Sequence, residues 1–272
     1  MVVTDRGEIL GVMTKRLKRV FATETDVPLL DARSVHLWTA DVRTFQPYLR
    51  RFTALLSPGE RKRAARLADP VHRRHFILAH GFLRLVLSRY LHQRPQLLRF
   101  QPHANGKPRL VNNHDSPRLE FNLAHSAHMT MIAVGSGRPV GVDVEALTRP
   151  VQAQAIVERY FSPTERDHFA SLPRSRANKE FIRYWTAKEA VLKAVGLGLA
   201  GGLSHCEVVN HPGGRSATVR LTEQDKPRSW LVRFFPLSTT YLGAVAAEGT
   251  EWKVRHYRPG LRLLRRWLEE GG

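Results

Sequence analysis

Three acids and two lysines have the types and spacing to manage phosphate chemistry. Asp143 and Glu145 lie two residues apart in "PVGVDVEAL", and Glu189 sits between Lys188 and Lys193 in "YWTAKEAVLKAVGLGL". A small set of carboxylate oxygens suits Mg²⁺ or Mn²⁺, which keep coordination positions open for phosphate. The bland alternatives are an ordinary i,i+4 ion pair between Glu189 and Lys193, and a solvated strand face for Asp-x-Glu. Spacing alone does not choose between them.

The elements that must position these residues are legible. Alternation in the strand puts Val142 and Val144 on one face and Asp143 and Glu145 on the other, roughly 7 Å apart. In the helix, Trp185, Glu189 and Lys193 recur every four residues, opposite Ala187, Val191 and Ala194. The helix can therefore offer a third carboxylate to the strand pair.

An internal repeat supplies the comparison that decides between the readings. "SPGER" from Ser57 and "SPTER" from Ser162 each place Ser at the N-cap, Pro at N1 and Glu (Glu60, Glu165) at N3, the capping-box spacing. The same offset of 105 residues carries "VHLWTA" (35–40) onto "VGVDVE" (140–145), Leu67 onto Leu172 and Val86-Leu87 onto Val191-Leu192 without a gap. It predicts an α+β chain built as a pseudo-twofold repeat of two similar lobes, each a small antiparallel sheet packed with helices. Residues 1–34 then form an N-terminal extension, 35–138 the first lobe, 139–258 the lobe with the acids, and 259–272 a tail helix. Leu261, Leu264 and Trp267 of that tail share one face, suited to packing on the body. Under the offset Trp38, Ala40 and Arg84 replace Asp143, Glu145 and Glu189, so a scaffold common to both halves does not need the three acids.

Composition bounds the partners. The 272 residues, 42% of them apolar, can bury a sizeable core, and no run of apolar residues is long enough to span a bilayer. "TKRLKR" is followed by "VFATETDVPLL", too polar for a signal-peptide core, so a cytoplasmic protein is expected. Cys206 is the only cysteine, which excludes an internal disulfide and a thiolate metal cluster. The net charge of +19 favours a polyanionic partner without saying which.

"FNLAHS", "GVDVE", "FSPTE" and "WTAKEAVLKAVGLGL", in this order and spacing, resemble the surfactin-type (group II) 4′-phosphopantetheinyl transferases over roughly residues 35–257. The resemblance implies transfer of the phosphopantetheine arm of coenzyme A to a serine of a carrier protein, with release of adenosine 3′,5′-bisphosphate, as in holo-[acyl-carrier-protein] synthases. It implies Mg²⁺, with Mn²⁺ as substitute, held by Asp143, Glu145 and Glu189, and phosphate oxygens held by Lys188 and Lys193. It places His125 and Ser126 at the coenzyme A 3′-phosphate, Lys107 and Pro108 on the adenine side, and Arg63 at the nucleotide, with Arg61 and Arg66 as close rivals. Ala124 stands where some relatives carry Ser. Glu165 is a functional acid in the family, although its capping role already accounts for it, and Glu189 or a metal-bound water could take the serine proton.

The implied partners are acidic acyl or peptidyl carrier proteins met by a basic monomer whose cleft lies between the lobes. Two rival classes are a Mg²⁺-dependent nucleic-acid-binding protein and an inactive carrier-binding or coenzyme A-binding module. The chain has no recognition-helix, zinc or RNP-type motif, and it keeps the acids that an inactive module would lose.

Overall fold

A computed structural model describes residues 29–102, 106–111, 118–148, 152–198, 202–223 and 226–271; most of the N-terminal extension, including Met13 as an alternative start, lies outside the described residues. The first half runs β1 (Ser34–Asp41), a 3-10 segment (Val42–Tyr48), α1 (Leu49–Leu55), α2 (Pro58–Ala65) and α3 (Pro70–Leu91). The short strands β2 (Phe100–Pro102) and β3 (Pro108–Leu110) and the long strands β4 (Leu119–Ser126) and β5 (Met129–Ser136) complete it. The second half runs β6 (Val140–Ala146), α4 (Ala153–Tyr160), α5 (Pro163–Ala170), α6 (Arg174–Val195), β7 (Cys206–Asn210), β8 (Ser216–Glu223), β9 (Lys226–Pro236) and β10 (Tyr241–Glu248). β11 (Lys253–Tyr257) and α7 (Leu261–Glu270) close the chain.

The mixed α+β class follows, with two principal sheets. One has the order β11-β1-β5-β4 and the other β6-β10-β9-β8-β7. Their inward faces meet in a shared apolar layer that includes Val35, Leu37, Met131, Val142, Val144 and Val245. α3 covers the outer face of the first sheet and α6 that of the second. Where the sheets meet, Asn122 Oδ1 on β4 accepts a hydrogen bond from the Val142 amide on β6 at 2.9 Å. Among the described residues no helix is long and apolar enough to cross a membrane.

Both capping boxes form as their spacing requires, Ser57 with Glu60 and Ser162 with Glu165. Strand pairing departs from the 105-residue offset: the offset equates Trp38 with Asp143, yet their partners Ile132 and Ala244 are 112 residues apart. The long helices do not keep it either. α3 and α6 are both 22 residues long, but their first residues, Pro70 and Arg174, and their left-handed caps, His92 and Gly196, correspond at 104. The gap-free match is corrected accordingly: one residue fewer separates the capped helix from the long helix in the second half. Arg84 then corresponds to Lys188, and Leu85 to Glu189.

β11 pairs in parallel with β1, so residues 253–257 lie in the first sheet although the expected second span runs 139–258. In α7, Leu264 and Trp267 of the expected face are buried against the first-half core together with Leu268, while Leu261, in the first turn, is half exposed.

Candidate active site

β6 enters the site with Val140, Val142 and Val144 turned to the inter-sheet layer and Asp143 and Glu145 turned towards α6, as period-two alternation demands. Gly141 makes the close approach of strand and helix possible. A Cβ there would fall on the Ala190 carbonyl oxygen and lie 2.5 Å from the Ala194 nitrogen. With α6 that near, Glu189 and Lys193 reach the strand acids.

Asp143 Oδ1 accepts from Lys193 Nζ at 2.5 Å, and Glu189 Oε2 stands 3.0 Å from the same nitrogen. Asp143 Oδ2 is buried and accepts no hydrogen bond among the described residues. Burial pushes the Asp143 carboxyl up to about 7 against the pull of Lys193, and the Glu189 and Glu145 carboxylates add to the rise. Lys193 is held protonated, because Asp143 and Glu189 outweigh the cost of its burial. Two carboxylates share one ammonium here, with Glu145 close enough to Asp143 for its charge to be felt.

Among the described residues no group of three or more acidic, histidine or cysteine side chains is placed to hold a metal ion as it stands. The donor set nevertheless fits a divalent cation: oxygen ligands only, excess negative charge, and a buried carboxylate oxygen without a hydrogen-bond donor. It is an open arrangement around Lys193 rather than a preformed cage.

A cluster of histidines with Arg63 gathers around His125, within electrostatic reach of Lys193. His125, at the exposed end of β4, has its pKa lowered to about 4 by the protein crowding around it, then by His80, Lys193, His75 and Arg63. His75 and His80 come from α3, and Arg63 from α2, where its guanidinium lies over the Phe76 ring at 5.4 Å. His75 Nδ1 is buried and unpartnered among the described residues. Arg63 and Lys193 supply positive charge there, and the imidazoles of His125 and His75, held below their ordinary pKa, offer neutral N–H donors to an anion. Neither His75 nor His80 was singled out in the sequence, because a histidine on an apolar helix carries no local signal. Ser126 ends β4 beside His125, before the left-handed turn residue Ala127.

Two expected phosphate or nucleotide contacts are placed elsewhere. Lys188 is fully buried, donates to Glu165 Oε2 and to the Cys206 carbonyl, both at 2.7 Å, and lies 4.0 Å from the Phe161 ring centroid. Glu165 Oε1 also accepts from the Val208 amide at 2.8 Å, so the pair ties α5, α6 and β7 together. In this arrangement the Lys188 ammonium is committed to Glu165 and the Cys206 carbonyl, which gives the pair a scaffold role. Glu60 and Arg84 form the matching pair in the first half, at 2.7 Å. Lys107 Nζ donates to the Val140 and Ala194 carbonyls at 3.0 and 2.8 Å, clamping β6 to the C-terminal end of α6. Only its backbone and the exposed Pro108, which follow Gly106 in its left-handed turn, face outward.

The scaffold assignment has a direct test. Glu165→Ala, which leaves the Lys188 ammonium buried without its partner, should cost about 3–5 kcal/mol of stability in urea denaturation. Glu165→Met with Lys188→Met should recover most of that loss and leave the KM for coenzyme A near wild type. A Lys188→Met variant that folds normally but has a KM raised tenfold would return Lys188 to the phosphates.

The chain is similar to known proteins. The family model described as the 4′-phosphopantetheinyl transferase superfamily (ACPS) matches residues 139–246, which contain all three acids. The chain is 35% identical over 225 residues to the 4′-phosphopantetheinyl transferase HetI of Nostoc sp., covering 82% of this chain and 92% of that protein. It is 36% identical over 161 residues to a putative 4′-phosphopantetheinyl transferase, slr0495, of Synechocystis sp., covering 59% and 65%. It is 28% identical over 215 residues to the 4′-phosphopantetheinyl transferase psf-1 of Bacillus pumilus, covering 79% and 88%. An acid cluster with a cluster of arginine and histidines near it, borne on a chain that aligns with nearly the whole of HetI, leads to one assignment: the chain belongs to the 4′-phosphopantetheinyl transferase superfamily.

Proposed function

We propose that the protein moves the 4′-phosphopantetheine arm of coenzyme A onto a serine of an acyl, peptidyl or aryl carrier protein, releasing adenosine 3′,5′-bisphosphate. The observation that carries this reading is the pairing of Asp143 and Glu189 with the Lys193 ammonium, with Glu145 near Asp143 and the cluster around His125 within reach of the same ammonium. Coenzyme A presents a pyrophosphate and a separate 3′-phosphate, and the two clusters offer one subsite for each. The His125 side, with Ser126, His75, His80 and Arg63, takes the 3′-phosphate. Lys193 takes a pyrophosphate oxygen.

Asp143, Glu145 and Glu189 would hold Mg²⁺ or Mn²⁺, and such an ion supplies charge neutralisation on the pyrophosphate when bound. Catalysis by this chain's own residues is then positioning and electrostatics. Lys193 orients the phosphate that is attacked, and Glu189 lies at the same point to accept the serine proton directly or through water. The carrier serine is the nucleophile, so the chain needs none. The surplus of Lys and Arg would speed encounter with an acidic carrier protein. A cytoplasmic monomer with a first lobe that binds nucleotide and a second that carries the acids completes the reading.

The test is the mass gain of purified apo-carrier proteins, acyl and peptidyl, incubated with coenzyme A, Mg²⁺ and the protein. No gain on any carrier, alongside tight nucleic-acid binding, would replace this reading. A second measurement addresses the 3′-phosphate. His125→Ala should raise the KM for coenzyme A by roughly tenfold, the scale of one charge-assisted hydrogen bond, with a smaller change in kcat. Dephospho-coenzyme A should discriminate less against the variant than against wild type. An unchanged preference for the 3′-phosphate would remove His125 from that role.

A further inference from the structure

One ammonium group occupies the point at which the site acids converge. Lys193 Nζ lies 2.5 Å from Asp143 Oδ1 and 3.0 Å from Glu189 Oε2, while Glu145 is close enough to Asp143 for its charge to be felt there. A lysine and a divalent cation cannot both use these oxygens at contact distance, because like charges a few ångström apart repel strongly. The Lys193 side chain is about one third exposed (34%), whereas those of Asp143 and Glu189 are almost covered (4% and 10%). The lysine is therefore the partner with room to move, on a flexible four-carbon stem. The imidazole of His125 is near enough for the Lys193 charge to help depress its pKa.

The geometry points to Lys193 as a built-in counter-ion: it holds the buried acids together, competes with a divalent cation for them, and leaves them when a pyrophosphate offers it another anion. This rests on the reading that Asp143, Glu145 and Glu189 form a metal site, and it adds a regulation of that site. The protein alone has a low metal affinity, set by the cost of displacing Lys193. Coenzyme A lowers that cost by accepting the ammonium, so metal and coenzyme A bind with positive coupling, and linkage makes the coupling reciprocal. The device keeps a cluster of buried like charges folded and reserves a complete metal site for the substrate-bound protein.

Mn²⁺ binding, measured by calorimetry on the full chain, tests this without reference to turnover. In the absence of coenzyme A, Lys193→Met should bind Mn²⁺ about ten- to hundredfold more tightly than wild type, the usual range of such couplings. Lys193→Arg, which keeps the charge, should stay near wild type, and Asp143→Asn should bind Mn²⁺ most weakly. Saturating coenzyme A should tighten Mn²⁺ binding in wild type by a larger factor than in Lys193→Met. Equal or weaker Mn²⁺ binding by Lys193→Met, with Asp143→Asn still impaired, overturns the counter-ion while leaving the metal site standing. Wild-type affinity in Asp143→Asn overturns the metal site and the counter-ion with it. Should Lys193→Met fail to fold, the wild-type comparison decides: Mn²⁺ affinity that does not rise with coenzyme A overturns the proposal.

Discussion

Asp143→Asn is expected to lower kcat/KM for phosphopantetheine transfer by about a thousandfold or more, the scale set by removing one preorganised electrostatic contact from a dry site. The same variant should gain stability when no divalent cation is added. Asp143 titrates near 7 in the folded protein, against 3.8 as its ordinary value. Between those values the folded chain binds more protons than the unfolded one, so its stability falls as pH rises. The asparagine escapes that loss. Its advantage in urea denaturation should be absent near pH 4, grow through pH 5 to 7, and level off above, with an upper bound of roughly 4 kcal/mol. Loss of the hydrogen bond from Lys193 offsets part of it, although Glu189 keeps that ammonium paired. Full activity of Asp143→Asn in Mg²⁺, or a variant that is less stable than wild type at pH 8, would show that the acid serves the scaffold and not the chemistry.

Gly141→Ala should cost at least about 3 kcal/mol of stability and most of the transfer activity, although the added group is one methyl. Its Cβ meets backbone: the Ala190 carbonyl oxygen, the Ala194 nitrogen at 2.5 Å and its Cα at 3.0 Å. Overpacking usually costs about 1–3 kcal/mol because side chains give way, and here the obstacle is a hydrogen-bonded helix that cannot rotate out of reach. α6 must move off β6, which carries Glu189 and Lys193 away from Asp143 and breaks the Lys107 clamp on Val140 and Ala194. Gly243→Ala is the matched control. Its Cβ would meet the Met131 thioether, a flexible side chain, so the loss should be smaller and the site geometry kept. Urea midpoints and coenzyme A turnover for the two variants check the contrast. A Gly141→Ala protein within 1 kcal/mol of wild type and fully active would mean that strand and helix do not meet this closely.

The parts of this protein legible in the sequence are those decided within a few residues. The capping boxes at Ser57 and Ser162 were readable because the hydrogen bonds they make span three residues. The common face of Asp143 and Glu145 followed from strand alternation, and the end of α6 from Gly196, which adopts the left-handed conformation that glycine tolerates. The family resemblance also rested on such local motifs. What only the tertiary structure decided lies between elements distant in the chain. Lys188 and Glu189 are neighbours, yet a helix turns 100° per residue, so one goes inward to Glu165 and the other to Lys193. Which side receives which charge depends on what α5, β7 and β6 present there, and no local pattern encodes that. The Lys107 clamp, the parallel pairing of β11 with β1 and the one-residue shift between α3 and α6 have the same origin. Each is selected by the burial and hydrogen bonding of two surfaces that meet only after the chain has folded, while the sequence specifies each surface separately.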